Sequence, residues 1–171
     1  MVGTLDWTPA GDRPDLLAGP VAAAARSIGG EVAAIDPALA DTAAFCEHYD
    51  VPLDASANCV VVAAKRGGEV TYAACMVLAT DRADVNGVVR RHLGARKASF
   101  APMAEATTLT GMEYGGITPI GLPGGWPILV DETVAAAPHV VIGSGLRASK
   151  LLVPGKALTT LPGAQVIALA Q

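Results

Sequence analysis

The sequence predicts a single α/β domain, a mixed and mostly antiparallel sheet surrounded by helices. Two apolar, β-branched runs, Ala57 to Ala64 and Thr71 to Ala79, flank Lys65-Arg66-Gly67-Gly68-Glu69, which is the pattern of a β-hairpin. Around it, segments with apolar residues at helical spacing alternate with short β-branched runs, and Gly or Pro separates them. A length of 171 residues is enough for one full core and gives no reason to expect a second.

Taken in order, Asp12-Arg13-Pro14 reads as a helix start, with Leu17, Val21, Ala24 and Ile28 on one face and Gly29-Gly30 as the stop. Glu31 to Ile35 fits a short strand. Asp41 then caps a second helix that runs through Phe45 toward Tyr49. Neither hairpin strand alternates with polar residues, so both should be covered on two faces, which puts the hairpin at the centre of the sheet. Thr80 or Asp81 caps a helix striped by Val85, Val88, Val89 and Leu93, with Arg90 and Arg91 in its last turn and Gly94 just beyond. A strand near Lys97 to Phe100, a short helix near Ala104 to Leu109, strands at Ile128 to Val130 and Val140 to Ile142, and a last strand within Gln165 to Leu169 complete the expectation. After Gly143-Ser144-Gly145 a short helix is expected, stopped by Pro154.

Aromatic residues make up only 4% of the chain, so the core must be built from Val, Leu, Ile and Ala. No apolar run reaches the eighteen or so residues that span a bilayer, and the first residues carry no basic signal region, so a cytoplasmic protein without a membrane partner is expected. The odd number of cysteines, Cys46, Cys59 and Cys75, with no Cys-x-x-Cys spacing, reads as buried free thiols. The net charge of -4 is unevenly spread. Up to Ala64 there are nine acidic residues against two basic ones; from Lys65 onward ten basic residues face seven acidic. Arg90, Arg91, Arg96 and Lys97 cluster, and Arg147 and Lys150 follow in a stretch with no acid after Glu132. Such a face can contact phosphates, although solvated helix ends account for the same pattern.

The most specialised stretch is Thr110 to Pro123, where Gly115-Gly116-Ile117-Thr118-Pro119 combines backbone freedom with a stiffening proline. A loop of this kind can aim bare N–H groups at a ligand, and the buried run Trp126 to Val130 can hold it still. Other motifs fail on context. Gly143 to Ala148 matches a dinucleotide fingerprint, but no acidic residue follows to hold a ribose and too little chain remains for a βαβαβ unit. Ser144 lacks a nucleophile-elbow setting, the three histidines lack metal-ligand spacing, and no P-loop lysine follows the glycines. Neither a metal nor a cofactor is expected.

With these motifs in their order, the chain from about Asp41 onward resembles the YbaK/prolyl-tRNA-synthetase-associated editing domain family, the trans-acting aminoacyl-tRNA deacylases. The likeness rests on the hairpin, the Gly87-to-Leu93 helix, Leu109-Thr110-Gly111, Gly115-Gly116-Ile117-Thr118-Pro119-Ile120-Gly121, Val130-Asp131-Glu132-Thr133 and Gly143-Ser144-Gly145. It implies a YbaK-like domain over residues 1–171 that hydrolyses the ester of a mischarged tRNA carrying a small amino acid. Gly115, Gly116, Thr118 and Pro119 are then the catalytic loop, and Asn58, Asp131, Ser144 and Gly145 bind substrate. Arg90, Arg91, Arg96, Lys97, Arg147 and Lys150 are expected on the pocket rim against tRNA. Aminoacyl-tRNA is the implied partner, an aminoacyl-tRNA synthetase a further one, and DNA is not. One departure stands out: the family carries a functional lysine at the start of the first hairpin strand, where this chain has Asn58. A binding module of the same fold, weakened or inert in hydrolysis, is the alternative reading.

Overall fold

The computed structural model describes residues 2–171, and its hydrogen bonding divides the strands between two sheets rather than one. Strands β3 (Ala57–Arg66) and β4 (Glu69–Leu78) form the expected hairpin, paired in register from Ala57 opposite Leu78 to Arg66 opposite Glu69. The turn is the two residues Gly67-Gly68, with φ of 58° and 82°. Positive φ at both positions is what a two-residue hairpin turn of matching twist requires, so the strands run two residues further than the apolar runs alone indicate. The hairpin sits inside a five-stranded sheet of order β5-β3-β4-β6-β9, with β5 at Lys97–Phe100, β6 at Ile128–Asp131 and β9 at Ala164–Ile167. Only the β4–β6 and β6–β9 pairs are parallel.

The second sheet has the order β1-β2-β8-β7: Thr8–Pro9, Glu31–Ala34, Ser149–Val153 and Val140–Gly143. Strand β8 replaces the short helix expected after Gly143-Ser144-Gly145. Its residues Ser149-Lys150-Leu151-Leu152-Val153 are buried throughout, and a five-residue run without alternation carries no periodicity that separates strand from helix. The sheets meet where Ser56 bridges Val141 in parallel. One core cluster joins them, drawing Val32, Leu151 and Val153 from the smaller sheet and Ala74, Met76, Ile128 and Val130 from the larger.

Helices cover the flanks. The first, α1 (Gly19–Ile28), begins later than expected. A helix continuous from Pro14 would put Pro20 in its interior, where proline removes a hydrogen bond and clashes with the preceding turn. The chain instead makes a 3-10 turn at Pro14–Leu16, extends at Leu17, and restarts with Pro20 in the first turn. Gly29, at φ 71°, ends it as expected. Helix α2 (Thr42–Tyr49) follows Asp41. A π-turn at Val85–Val89 runs into α3 (Arg90–His92); its cap is Asp84, which accepts from the N–H groups of Gly87 and Val88, rather than Thr80 or Asp81. Helices α4 (Met103–Thr110), α5 (Glu132–Ala136) and α6 (Gly155–Leu158) complete the set.

Asp131, expected to bind substrate, is committed to this framework. One carboxylate oxygen accepts from the N–H and hydroxyl of Thr133 and so caps α5; the other accepts from the N–H groups of Leu169 and Ala170 at 3.0 and 3.1 Å, tying the C-terminal segment to β6. Burial raises the carboxyl pKa, but the hydrogen bonds from Thr133, Ala170 and Leu169 outweigh it and hold the group below its ordinary value of 3.8. Asp131→Ala strands the buried N–H of Leu169 and should cost about 1–3 kcal/mol or more, read as a lower urea midpoint. Because the folded pKa is depressed, this stabilisation is complete above the ordinary carboxylate range and is lost as pH falls through the folded value. The difference in midpoint between the natural protein and Asp131→Ala should therefore shrink in acid.

Candidate functional site

A cleft of about 450 Å³ opens where the two sheets meet. The start of β3 supplies one wall, from Ala57 to Val61, and Ala40, Asp41 and Thr42, leading into α2, supply another. Phe100 and Ala101 close it from the end of β5, Ala106 from α4, and Tyr114, Gly115 and Ile117 from the loop after α4. Gly143 and Lys150 form its floor. The cleft thus brings Asn58 and Gly115 together, as the sequence reading expected of them.

The loop is held by backbone. The Gly145 N–H donates to the Gly116 carbonyl at 2.6 Å, the Glu113 N–H to the Gly145 carbonyl at 2.9 Å, and the Gly116 N–H to the Glu113 carbonyl at 2.9 Å. Contact this close depends on missing side chains: a Cβ on Gly143 would lie 2.5 Å from the Gly116 carbonyl oxygen, and one on Gly116 would lie 2.6 Å from that of Leu146. Arg147 braces the outer side, donating to the carbonyls of Tyr114 and Pro37, both at 3.1 Å. Among the described residues no acceptor pairs with the N–H of Gly115 or of Ile117, and both residues line the cleft. These two amides, rather than that of Gly116, are available to a ligand.

The other predicted loop residues have different places. Gly116 is buried against the turn after Ser144. Thr118 is fully buried and its hydroxyl has no partner among the described residues. Pro119 lines a separate hollow beside α1 and Trp126. Ser144 and Gly145, expected to bind substrate, are buried beneath the loop. The Ser144 hydroxyl bonds to Ser149 and to the N–H of Leu146, and Gly145 packs on Ala18, so both build the turn between β7 and β8.

Asn58 is half-buried, and its carboxamide oxygen accepts from the Thr42 hydroxyl at 2.6 Å. Its amide N–H groups have no protein partner among the described residues. Cys59 is also on the wall; burial, and then the neighbouring Cys75 thiol, push its pKa well up, which disfavours the thiolate. Cys75 is itself raised to about 12 by burial, and all three cysteines are free, as expected.

The predicted basic rim separates into four groups. Lys150 is 8% exposed and lies inside the cleft, where it donates to the Ala40 carbonyl at 3.1 Å over the Phe45 ring. The Arg147 guanidinium is spent on carbonyls. Arg90 gives its Nε–H to the Asn86 carbonyl, Arg91 is exposed in the last turn of α3, and neither lines the cleft. Arg96 and Lys97 surround a shallow hollow at the hairpin turn with Lys65 and Arg66. Lys97 lies three residues along β5 from Phe100, about 10 Å away. Charge clustering in sequence could not separate these environments, since the sorting follows from which strand each residue joins.

Sequence reasoning missed Asp41, Thr42, Phe100 and Ile117. Asp41 was read as a cap, but its carboxylate accepts no capping bond, and it lines the cleft instead. Phe100 ends an edge strand with 63% of its surface exposed, an exposure no composition signal announces. No cluster of metal-binding side chains exists among the described residues.

Comparison with solved structures finds the same fold. A candidate trans-editing enzyme for prolyl-tRNA synthetase aligns over 97% of this chain and 99% of its own, at 21% identity and a TM-score of 0.76. A protein from work on epitope grafting onto scaffold proteins aligns over 90% and 97% at 22% identity, and hypothetical protein APE2540 over 86% and 95% at 20% identity, both with a TM-score of 0.76. A search of curated proteins finds no match. The sequence model of the aminoacyl-tRNA editing domain matches residues 36–161, most of the chain and every wall of the cleft, and the protein belongs to that family.

Proposed function

We propose that the protein hydrolyses the ester joining a small, mismatched amino acid to the 3′ end of a tRNA. The observation that carries this reading is the pair of unpartnered amides, Gly115 and Ile117, presented over walls of small side chains: Ala40, Ala57, Ala101 and Ala106. An aminoacyl ester is already activated, so positioning and a fixed oxyanion site suffice for much of the catalysis. Water attacks the ester carbonyl, the two amides stabilise the resulting oxyanion, and the C–O bond to the ribose breaks. The ribose oxygen takes a proton, and a free amino acid and an intact tRNA leave. The cleft volume suits an aminoacyl group with part of its nucleoside.

The ends of the substrate match the cleft in sign and shape. Asp41 offers an exposed carboxylate to the α-ammonium of the amino acid. Phe100 and Tyr114, 63% and 54% exposed at the mouth, offer ring faces to the terminal base, a contact of about 1–3 kcal/mol per stacked base. From Phe100 the strand β5 leads to Lys97, Lys65 and Arg96, which accept the phosphates that follow.

Deacylation of Ala-, Ser-, Thr- and Cys-charged tRNA tests the reading. At least one should be hydrolysed well above the spontaneous rate, and no hydrolysis alongside tight binding would make the protein a holder of aminoacyl-tRNA instead. Asp41→Asn should raise KM severalfold with kcat little changed, because it removes a contact made equally in ground and transition states. Lys97→Glu should weaken tRNA binding and flatten the slope of log affinity against log salt by roughly one unit or less. An unchanged slope would remove Lys97 from the tRNA path.

A further inference from the structure

The cleft contains a cation that the proposed chemistry has not yet used. Lys150 is buried, yet the ion pair present among the described residues is Arg13 with Asp15, and no carboxylate partners Lys150. Its protein contacts are one neutral carbonyl, Ala40, and the face of Phe45, so two of its three N–H groups remain for a ligand. Burying a charge without a counter-ion is unfavourable, and here the ammonium lies on the floor of a cleft rather than in the sealed core.

The sheet junction puts this lysine beside Asn58. Gly143 on β7 is paired with Lys150 on β8, the start of β3 meets β7 at the bridge between Ser56 and Val141, and Asn58, Gly143 and Lys150 line one cleft. Gly143, the neighbour of Lys150 in this sheet, has no side chain to stand over it. The carbonyls of Gly116 and Ile117 fill the space where a Gly143 side chain would stand. Both flanking residues grip one segment, Asn58 through the Thr42 hydroxyl and Lys150 through the Ala40 carbonyl. A neutral donor and a cation thus stand on either side of the loop that carries the free amides.

We propose that Lys150 is a catalytic residue of this cleft, its ammonium donating a hydrogen bond to the oxyanion that forms on the ester carbonyl. The assignment rests on the hydrolytic reading given above and names the charged donor within it. An unpaired cation complements a charge that develops during reaction better than any charge of the ground state, where the nearby α-ammonium is positive and turns toward Asp41. It also explains how the start of β3 can carry an amide: the positive charge enters from the neighbouring sheet, across Gly143. Burial lowers the Lys150 pKa; of the charged and titratable groups facing it, Cys46 and Asp41 oppose that shift and Arg147 adds to it.

The test compares the natural protein, Lys150→Met, Lys150→Arg and Lys150→Met/Asn58→Lys, with folding checked by thermal unfolding. Two readouts are used: deacylation of the panel above, and binding of a phosphonate analogue of the tetrahedral intermediate built on aminoacyl-adenosine. Lys150→Met should lower kcat roughly ten- to hundredfold with KM little changed, and should weaken phosphonate binding by a similar factor. Adding Asn58→Lys should restore part of both. Enzymatic turnover should fall as pH rises through the lowered lysine pKa, and that limb should vanish in Lys150→Met; turnover that instead rises through it would mean a neutral amine and overturn the assignment. Natural-level kcat and phosphonate affinity in Lys150→Met would overturn it while leaving the hydrolytic reading intact. If the natural protein hydrolyses nothing yet binds the phosphonate in a Lys150-dependent way, the hydrolytic reading fails and the anion-donor role stands. If it neither hydrolyses nor binds, both fail. Should Lys150→Met not fold, Lys150→Gln and the pH profile of the natural protein decide the same question.

Discussion

The site depends on backbone meeting backbone at glycine. Gly116 and Gly143 come so close that no side chain fits on either, and the Gly145-to-Gly116 and Glu113-to-Gly145 hydrogen bonds lock the loop onto the turn between β7 and β8. The outcome is a loop held in place, whose amides at Gly115 and Ile117 have no protein acceptor among the described residues and belong to residues that line the cleft. Rigidity matters to the proposed oxyanion role, because donors of that kind are effective only when they need no reorganisation as charge develops. Ser144 and Arg147 serve the same end from either side, one inside the turn and the other across the outer face of Gly115.

The two buried charged residues illustrate opposite solutions to one problem. Asp131 is surrounded by four donors, and its charge is answered entirely within the fold. Lys150 has a single carbonyl and an aromatic face, too little to satisfy an ammonium in the way Asp131 is satisfied. A carboxylate with every lone pair engaged stabilises structure, whereas a cation with donors left over at the floor of a cleft is available for chemistry. In the sequence, the family resemblance suggested a substrate role for Asp131 and charge clustering a tRNA contact for Lys150, and neither signal shows the partners each residue has in the fold.

How much was legible in the sequence depended on the range of the interactions involved. The hairpin, the stop at Gly29 and the special character of Gly115 to Pro119 are local, set by turn residues and periodicity, and the structure has all of them. The division into two sheets was hidden, because it turns on β8, whose five residues have no period, pairing with β2 more than a hundred residues earlier in the chain. That one pairing moved Lys150 from an expected rim to the cleft floor. It likewise fixed Arg147 against Pro37, at the same sequence separation of 110 residues as Lys150 from Ala40.

The basic residues are then better sorted by what they touch than by where they cluster. Arg66, Arg90 and Arg147 are tied to backbone carbonyls, which reduces the number of N–H groups any of them can turn toward phosphate. Lys65, Arg96 and Lys97 are exposed at the hairpin turn without such ties, and the backbone of β5 runs from Lys97 to Phe100 at the cleft mouth. A polynucleotide end stacked on Phe100 would therefore meet its first free cations along β5, some 10 Å away. On that reading Asp41 and Lys150 meet the reacting end inside the cleft, and the cations at the hairpin turn meet the phosphates further along. On the proposed reading, salt would screen the phosphate contacts along β5 more strongly than the contacts inside the cleft, where Lys150 is 8% exposed.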